Sequence, residues 1–215
     1  MLKYKKIKEL IEQEGKNRFW SLSKYEDWTE DILSHACGFV LDLGCGDGVY
    51  SREIAKRHLK TVSADLSEMK LRALRGLSNS YLVACSASEI PFKNNVFDTV
   101  LFLEVLEHLP SHLMQYQTFK DIKRVLKHGG RLILSTPNKP IYRLMTKMWY
   151  VLRGQKPDST HFTELNYRQL LFIVRKYFEI IYQRGKFGLL KNKRFQRMIG
   201  KFPKVCYDIL LVCKK

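Results

Sequence analysis

The sequence predicts an α/β fold: a doubly wound, mostly parallel sheet of seven strands with an antiparallel last strand. Three observations carry this. From Gly38 onward short apolar runs alternate with amphipathic ones, the pattern of strand–helix–strand crossovers. The first apolar run ends in a turn crowded with glycine, "DLGCGDG" at residues 42–48. The last two apolar runs have no helical pattern of ordinary length between them, which suggests antiparallel pairing.

The elements follow in order. Leu2, Ile7, Leu10 and Ile11 fall at helical spacing among Lys and Glu, so an amphipathic helix is expected over residues 3–14. A second helix is expected from Tyr25 to His35, and residues 1–35 are read as a helical extension to one domain spanning 36–215. "FVLDLG" is the first strand and "VYSREIAKRH" the helix after the glycines. "KTVSADL" is the second strand, followed by "SEMKLRALRGL", a helix with Ser67 as N-cap. "YLVAC" and "FDTVLFLE" are the third and fourth strands. "HLMQYQTFKDIKRVLKHGG" reads as a helix closed by glycine, and "RLILSTP" as a fifth strand ended by proline. "TELNYRQLLFIVRKYF" reads as a helix with Thr163 as N-cap, and "FEIIYQRGK" and "CYDILLVCKK" as the last two strands.

Composition sets outer bounds. A chain of 215 residues, 45% hydrophobic and 27% charged, suits a folded α/β domain rather than a disordered chain. The N-terminus lacks the character of a signal or transit peptide, and no stretch has the ~18–20 uninterrupted apolar residues of a membrane span. Five cysteines without a CxxC pair read as reduced thiols in a cytoplasmic protein, and no zinc pattern or other metal site is expected. The net charge of +17 is unevenly placed: Lys and Arg outnumber Asp and Glu by 20 to 17 over residues 1–138, but by 18 to 4 over 139–215. An anionic partner for the back half follows, either a phospholipid surface or nucleic acid.

The glycine turn narrows the ligand. A dinucleotide fingerprint would need glycine at 44, 46 and 49, but residue 49 is valine and glycine stands at 48 instead. An acidic Asp42 before the turn repels a pyrophosphate and suits a ligand with a cationic end, such as an α-amino group or a sulfonium. Four stretches, "VLDLGCGDG", "SADLS", "ACSASEIPFKNNVFDTV" and "LEVLEHL" with "LKHGGRLILSTPN", resemble in order and spacing the class I S-adenosylmethionine-dependent methyltransferases. The likeness is to the small subgroup that includes the quinone-biosynthesis methyltransferases.

The resemblance implies a Rossmann-like methyltransferase fold, S-adenosyl-L-methionine as cofactor, and a set of binding residues. Gly44, Cys45, Gly46 and Gly48 would form the turn around it. Asp42 would lie near the methionyl amino group, Asp65 would accept from the ribose hydroxyls, Leu66 would pack on the adenine and Ala87 would meet its edge. Ser86 stands where the family often has Asp, which removes charge assistance from the adenine contact. Glu104 would border the methionyl part. His108 and His161 are candidates for acceptor contact or general base, weighed against a structural hydrogen-bonding role for the first and a surface position for the second.

Two basic, apolar segments depart from a minimal domain. "NKPIYRLMTKMWYVLRGQK" carries five basic residues and no acid, and "KFGLLKNKRFQRMIGKFPK" carries seven and no acid. Insertions at about 139–160 and 186–204 therefore point to an anionic membrane surface. An amphiphilic, lipid-like or other small-molecule methyl acceptor follows, for a cytoplasmic protein peripheral to the membrane. RNA is the alternative partner; against it, no RNA-binding module is recognisable and the "NPPY"-type motif is missing after strand four. A cofactor-binding module without turnover is the third reading.

Overall fold

The computed structural model describes residues 26–154, 158–187 and 193–215. The helix expected over residues 3–14 lies outside the described residues. The elements run α1 (Glu26–His35), β1 (Val40–Leu43), α2 (Val49–Lys56), β2 (Thr61–Asp65), α3 (Glu68–Arg72), β3 (Ser80–Ala84) and β4 (Phe97–Leu103). After a 3₁₀ turn at Leu106–His108 come α4 (His112–Val125), β5 (Leu126–Pro137), α5 (Lys139–Arg153), α6 (Tyr167–Val174) and β6 (Glu179–Lys186). The chain closes with α7 (Lys193–Ile199), a 3₁₀ turn at Pro203–Val205 and β7 (Asp208–Lys214).

Seven strands form one sheet in the order β3-β2-β1-β4-β5-β7-β6. β1 to β5 are mutually parallel, and β7 slots antiparallel between β5 and β6. The expected fold class therefore stands. Alternate residues feed two cores, as a period of two requires. Leu41, Val100, Phe102, Leu132, Leu134 and Leu211 face the side covered by α4 and α6. Val40, Leu101, Ile133, Leu210 and Val212 face Trp28 and Ile32 of α1 and Ile54 of α2. Strands buried on both faces read as unbroken apolar runs, which is why they stand out in sequence.

Three local expectations are corrected. The α4 helix stops at Val125 rather than at the glycines, because Leu126 is already extended and pairs with Phe97 of β4. Gly129 and Gly130 instead serve an irregularity in β5, where two positions of β4 correspond to five of β5. Gly129 has φ +74, which a β-carbon disfavours. The α6 helix is capped by Asn166, not Thr163: Asn166 accepts from the Gln169 amide, and the Gln169 side chain accepts from the Asn166 amide in return. Thr163 is drawn away because its hydroxyl donates to the Leu109 carbonyl. The helix after β2 is only five residues long, although Ser67 caps it as expected.

Candidate cofactor and acceptor site

The parallel strands end along one edge, and the candidate residues collect there. Asp42 lies in β1 and the glycine turn follows it directly. The amides of Gly44 and Cys45 both donate to the Ala64 carbonyl, at 2.7 and 3.0 Å, so the turn folds over the end of β2. Asp65, the last residue of β2, braces the turn further: its Oδ2 accepts from the Gly46 amide and its Oδ1 from the Ser67 amide, each at 2.8 Å. A carboxylate has capacity beyond these two bonds, and ribose hydroxyls are the donors it would still receive.

The glycines divide the work. A β-carbon on Gly48 would meet Leu74 at 2.1 Å, whereas one on Gly46 would find only the Lys70 ammonium, at 3.9 Å. Gly48 thus permits close packing within the protein, while the backbone at Gly46 faces open space. That open cradle, lined by backbone and braced by the Asp65 carboxylate, has room and an acceptor for the ribose of an adenosyl ligand.

Around the cradle, Leu66 follows β2, and Ser86 and Ala87 follow β3. The Ser86 hydroxyl accepts from the Ser88 amide at 3.2 Å and bonds the Ser88 hydroxyl at 3.0 Å. It caps its own turn. Glu104 adopts φ +56, uncommon for a side-chain-bearing residue, and is pinned to β5: its Oε1 accepts from the Ser135 hydroxyl at 2.7 Å and its amide donates to the Ser135 carbonyl. Burial pushes the Asp42 carboxyl up to about 6, against the opposing bond from Ser51. Burial also raises the Cys45 thiol, which leaves it a small, inert residue of the turn.

Beyond Glu104 the two candidate histidines meet. Their rings are edge to face, with centroids 4.8 Å apart. His108 Nδ1 lies 2.9 Å from the Thr160 hydroxyl and 3.1 Å from the Thr160 carbonyl. The Thr160 hydroxyl spends its proton on Asp158, so both Thr160 oxygens can only accept and Nδ1 must carry the proton. Nε2 is then the acceptor nitrogen of the ring. Burial, then His161, lowers the His108 imidazole to about 4, so it is neutral near pH 7. His161 stacks on Tyr142 of α5, and its Nδ1 lies 3.3 Å from Glu164. Its side chain is 10% exposed, so it is not a surface residue.

Sequence reasoning passed over Glu107. It is 1% exposed, its Oε2 accepts from Thr136, and its Oε1 has no hydrogen-bond partner among the described residues. Burial and the nearby Glu104 charge hold its carboxyl well above the usual range. Glu107, His108 and His161 each offer one donor atom, and these atoms all lie within 4.8 Å of one another. The signal was present in "LEHL", but its third member comes from a segment 53 residues later. That segment is stitched over the site by the amides of Phe162 and Thr163, which both donate to the Glu107 carbonyl.

Residues 41–134 match the methyltransferase domain family, and the seven-stranded sheet has the fold of the class I S-adenosylmethionine-dependent methyltransferases. The cofactor of that class is S-adenosyl-L-methionine. More particularly, the chain is 33% identical over 119 residues to the ubiquinone biosynthesis O-methyltransferase of Xanthomonas oryzae pv. oryzae, covering 53% of this chain and 48% of that one. It is 31% identical over 122 residues to the protein of the same name from Pseudomonas aeruginosa, covering 53% and 50%. The chain thus spans about half the length of the curated relatives it matches. Among solved structures it is similar to an S-adenosylmethionine-dependent methyltransferase from Mesorhizobium loti, with TM-score 0.66 at 17% identity over 91% of this chain and all of that one. A Methanosarcina mazei methyltransferase gives TM-score 0.64 at 20% identity over 86% and 96%.

Proposed function

We propose that the chain transfers the methyl group of S-adenosyl-L-methionine to an amphiphilic small-molecule acceptor while attached to an anionic membrane surface. The cofactor supplies an electrophilic methyl carbon on positive sulfur. The chain's own residues bind, align and exclude water. In this reading Asp42 meets the cationic amino end, Asp65 the ribose, and Glu104 the side of the methionyl chain. His108, neutral and with Nε2 as its acceptor nitrogen, suits an acceptor hydroxyl: it accepts the hydrogen bond and fixes the oxygen's direction of attack.

One observation carries the amphiphilic and membrane parts of the reading. The α5 helix joins the site to a basic apolar face. Tyr142 stacks on His161 from one side, while Leu144, Val151 and Leu152 are 65, 74 and 69% exposed beside Lys147. Exposed Phe195, Met198 and Phe202, with Arg194, Arg197 and Lys201, continue the same composition on and after α7. Trp149 of α5 touches Tyr207, just beyond the second 3₁₀ turn, so the two segments are neighbours. Apolar side chains among cations suit a lipid interface, each cation adding about 1 kcal/mol near anionic headgroups. No helix among the described residues is long and apolar enough to cross a membrane.

Incubation with methyl-labelled cofactor and fractionated lipid, RNA and small-molecule pools tests the reading. Label in the lipid-extractable small-molecule pool supports it. Label in RNA overturns the acceptor class, and no transfer to any pool overturns the activity.

A further inference from the structure

Asp42 heads a row of hydroxyls. Its Oδ2 accepts from the Ser51 hydroxyl at 2.6 Å, and the Ser51 oxygen accepts from the Ser63 hydroxyl at 2.7 Å. Ser63 Oγ in turn lies 2.8 Å from Ser80 Oγ. A serine has one proton to give. Ser51 gives its proton to Asp42 and Ser63 gives its proton to Ser51, so the third bond can only run from Ser80 to Ser63. Every hydroxyl in the row therefore points its proton toward the carboxylate.

The row crosses the fold. Ser51 is on α2, Ser63 in the middle of β2 and Ser80 at the start of the edge strand β3. Ser51 and Ser63 are fully buried and Asp42 is 4% exposed. Two buried hydroxyls contribute little net stability to a sheet interior that could hold alanine or valine instead. A polarised chain of hydrogen bonds ending on a carboxylate does something alanine cannot: it favours the ionised form and fixes its orientation.

The surroundings push the other way. Burial is the larger influence, and the Asp65 carboxylate on β2 adds to it; both favour a protonated Asp42. Tyr50 on α2 and Cys45 in the turn also face its charge, and Glu104 faces Tyr50 from beyond β4. Ser51 is what opposes them, through its hydroxyl and its own amide.

We propose that Ser51, Ser63 and Ser80 are positioning residues that keep Asp42 ionised and aimed at the amino end of the bound cofactor. This rests on the cofactor reading above. The row acts through Asp42 and touches no ligand.

Calorimetric binding of S-adenosyl-L-methionine to the full chain, from about pH 5 to about pH 8, tests it. 5′-Methylthioadenosine, which has no amino-acid end, serves as the control ligand. The wild-type chain should lose cofactor affinity as pH falls below about 6. Ser51→Ala should bind the cofactor about twofold more weakly at about pH 6, with its midpoint moved up by about half a pH unit. Ser63→Ala should shift the same way by less, Ser51→Thr should restore wild-type behaviour, and the control ligand should be indifferent. A midpoint that stays put in the variants, or an equal loss for both ligands, overturns the positioning role. Should Ser51→Ala not fold, Ser80→Ala at the partly exposed end of the row gives the same readout. A wild-type chain that binds no cofactor overturns the cofactor reading instead, and this inference with it.

Discussion

Thr160 holds His108 from 52 residues away, its hydroxyl 2.9 Å and its carbonyl 3.1 Å from Nδ1. This bond decides which face of the imidazole is free. With Nδ1 protonated, Nε2 is an acceptor, and an acceptor is what a substrate hydroxyl needs beside it. Thr160→Val removes the hydroxyl and lets the ring rotate or change tautomer. The expected result is a kcat lowered about tenfold with the KM for cofactor within about twofold of wild type. Steady-state kinetics with each substrate varied in turn checks it. A change confined to the cofactor KM would place His108 on the wrong side of the reaction.

Asp42 links pH to both stability and binding. Its carboxyl is raised from 3.8 to about 6 by burial. A group raised in the folded state contributes stability that is fully present below its unfolded value and lost as pH rises through its folded one. Asp42 alone therefore disfavours the free protein above about pH 6, by on the order of 3 kcal/mol. Asp42→Asn removes this cost together with the charge. The variant should melt higher than wild type at pH 7, bind cofactor more weakly, and lose most of the melting difference at about pH 4. Thermal unfolding at the two pH values, with and without cofactor, reads all three.

Much of this site was legible in the sequence because its parts are local. The turn from Asp42 to Gly48 and the carboxylate at Asp65 stand out by their spacing, and the structure joins them through the Gly46 amide. The sheet was legible for a related reason: strands buried on both faces leave apolar runs such as "TVLFL" that no exposed element would carry. What stayed hidden depends on long-range partners. Thr163 looks like a helix cap until Leu109 claims its hydroxyl, and the glycines at 129 and 130 look like a helix stop until Leu126 finds Phe97. Glu107 sits one residue from a suspected histidine, but its burial and unpartnered oxygen exist only once β5 and the 158–165 segment close around it.

The glycines of the turn differ in what they tolerate, and the difference is measurable. Gly46 and Gly48 share a left-handed backbone, with φ +53 and +74. Alanine costs roughly 1 kcal/mol for that conformation at either position. At Gly48 a β-carbon also lands 2.1 Å from Cδ2 of Leu74, itself 1% exposed and hemmed in. Gly48→Ala should therefore lower the melting temperature distinctly more than Gly46→Ala. The order reverses for cofactor binding, because the backbone at Gly46 faces the open cradle, where an added methyl competes with the ligand. Pairing Gly48→Ala with Leu74→Ala separates the two costs. If the clash is the main term, removing the Leu74 side chain cancels part of the Gly48→Ala effect, and the double variant is more stable than the sum of the singles implies. Strict additivity would instead leave backbone conformation as the whole cause.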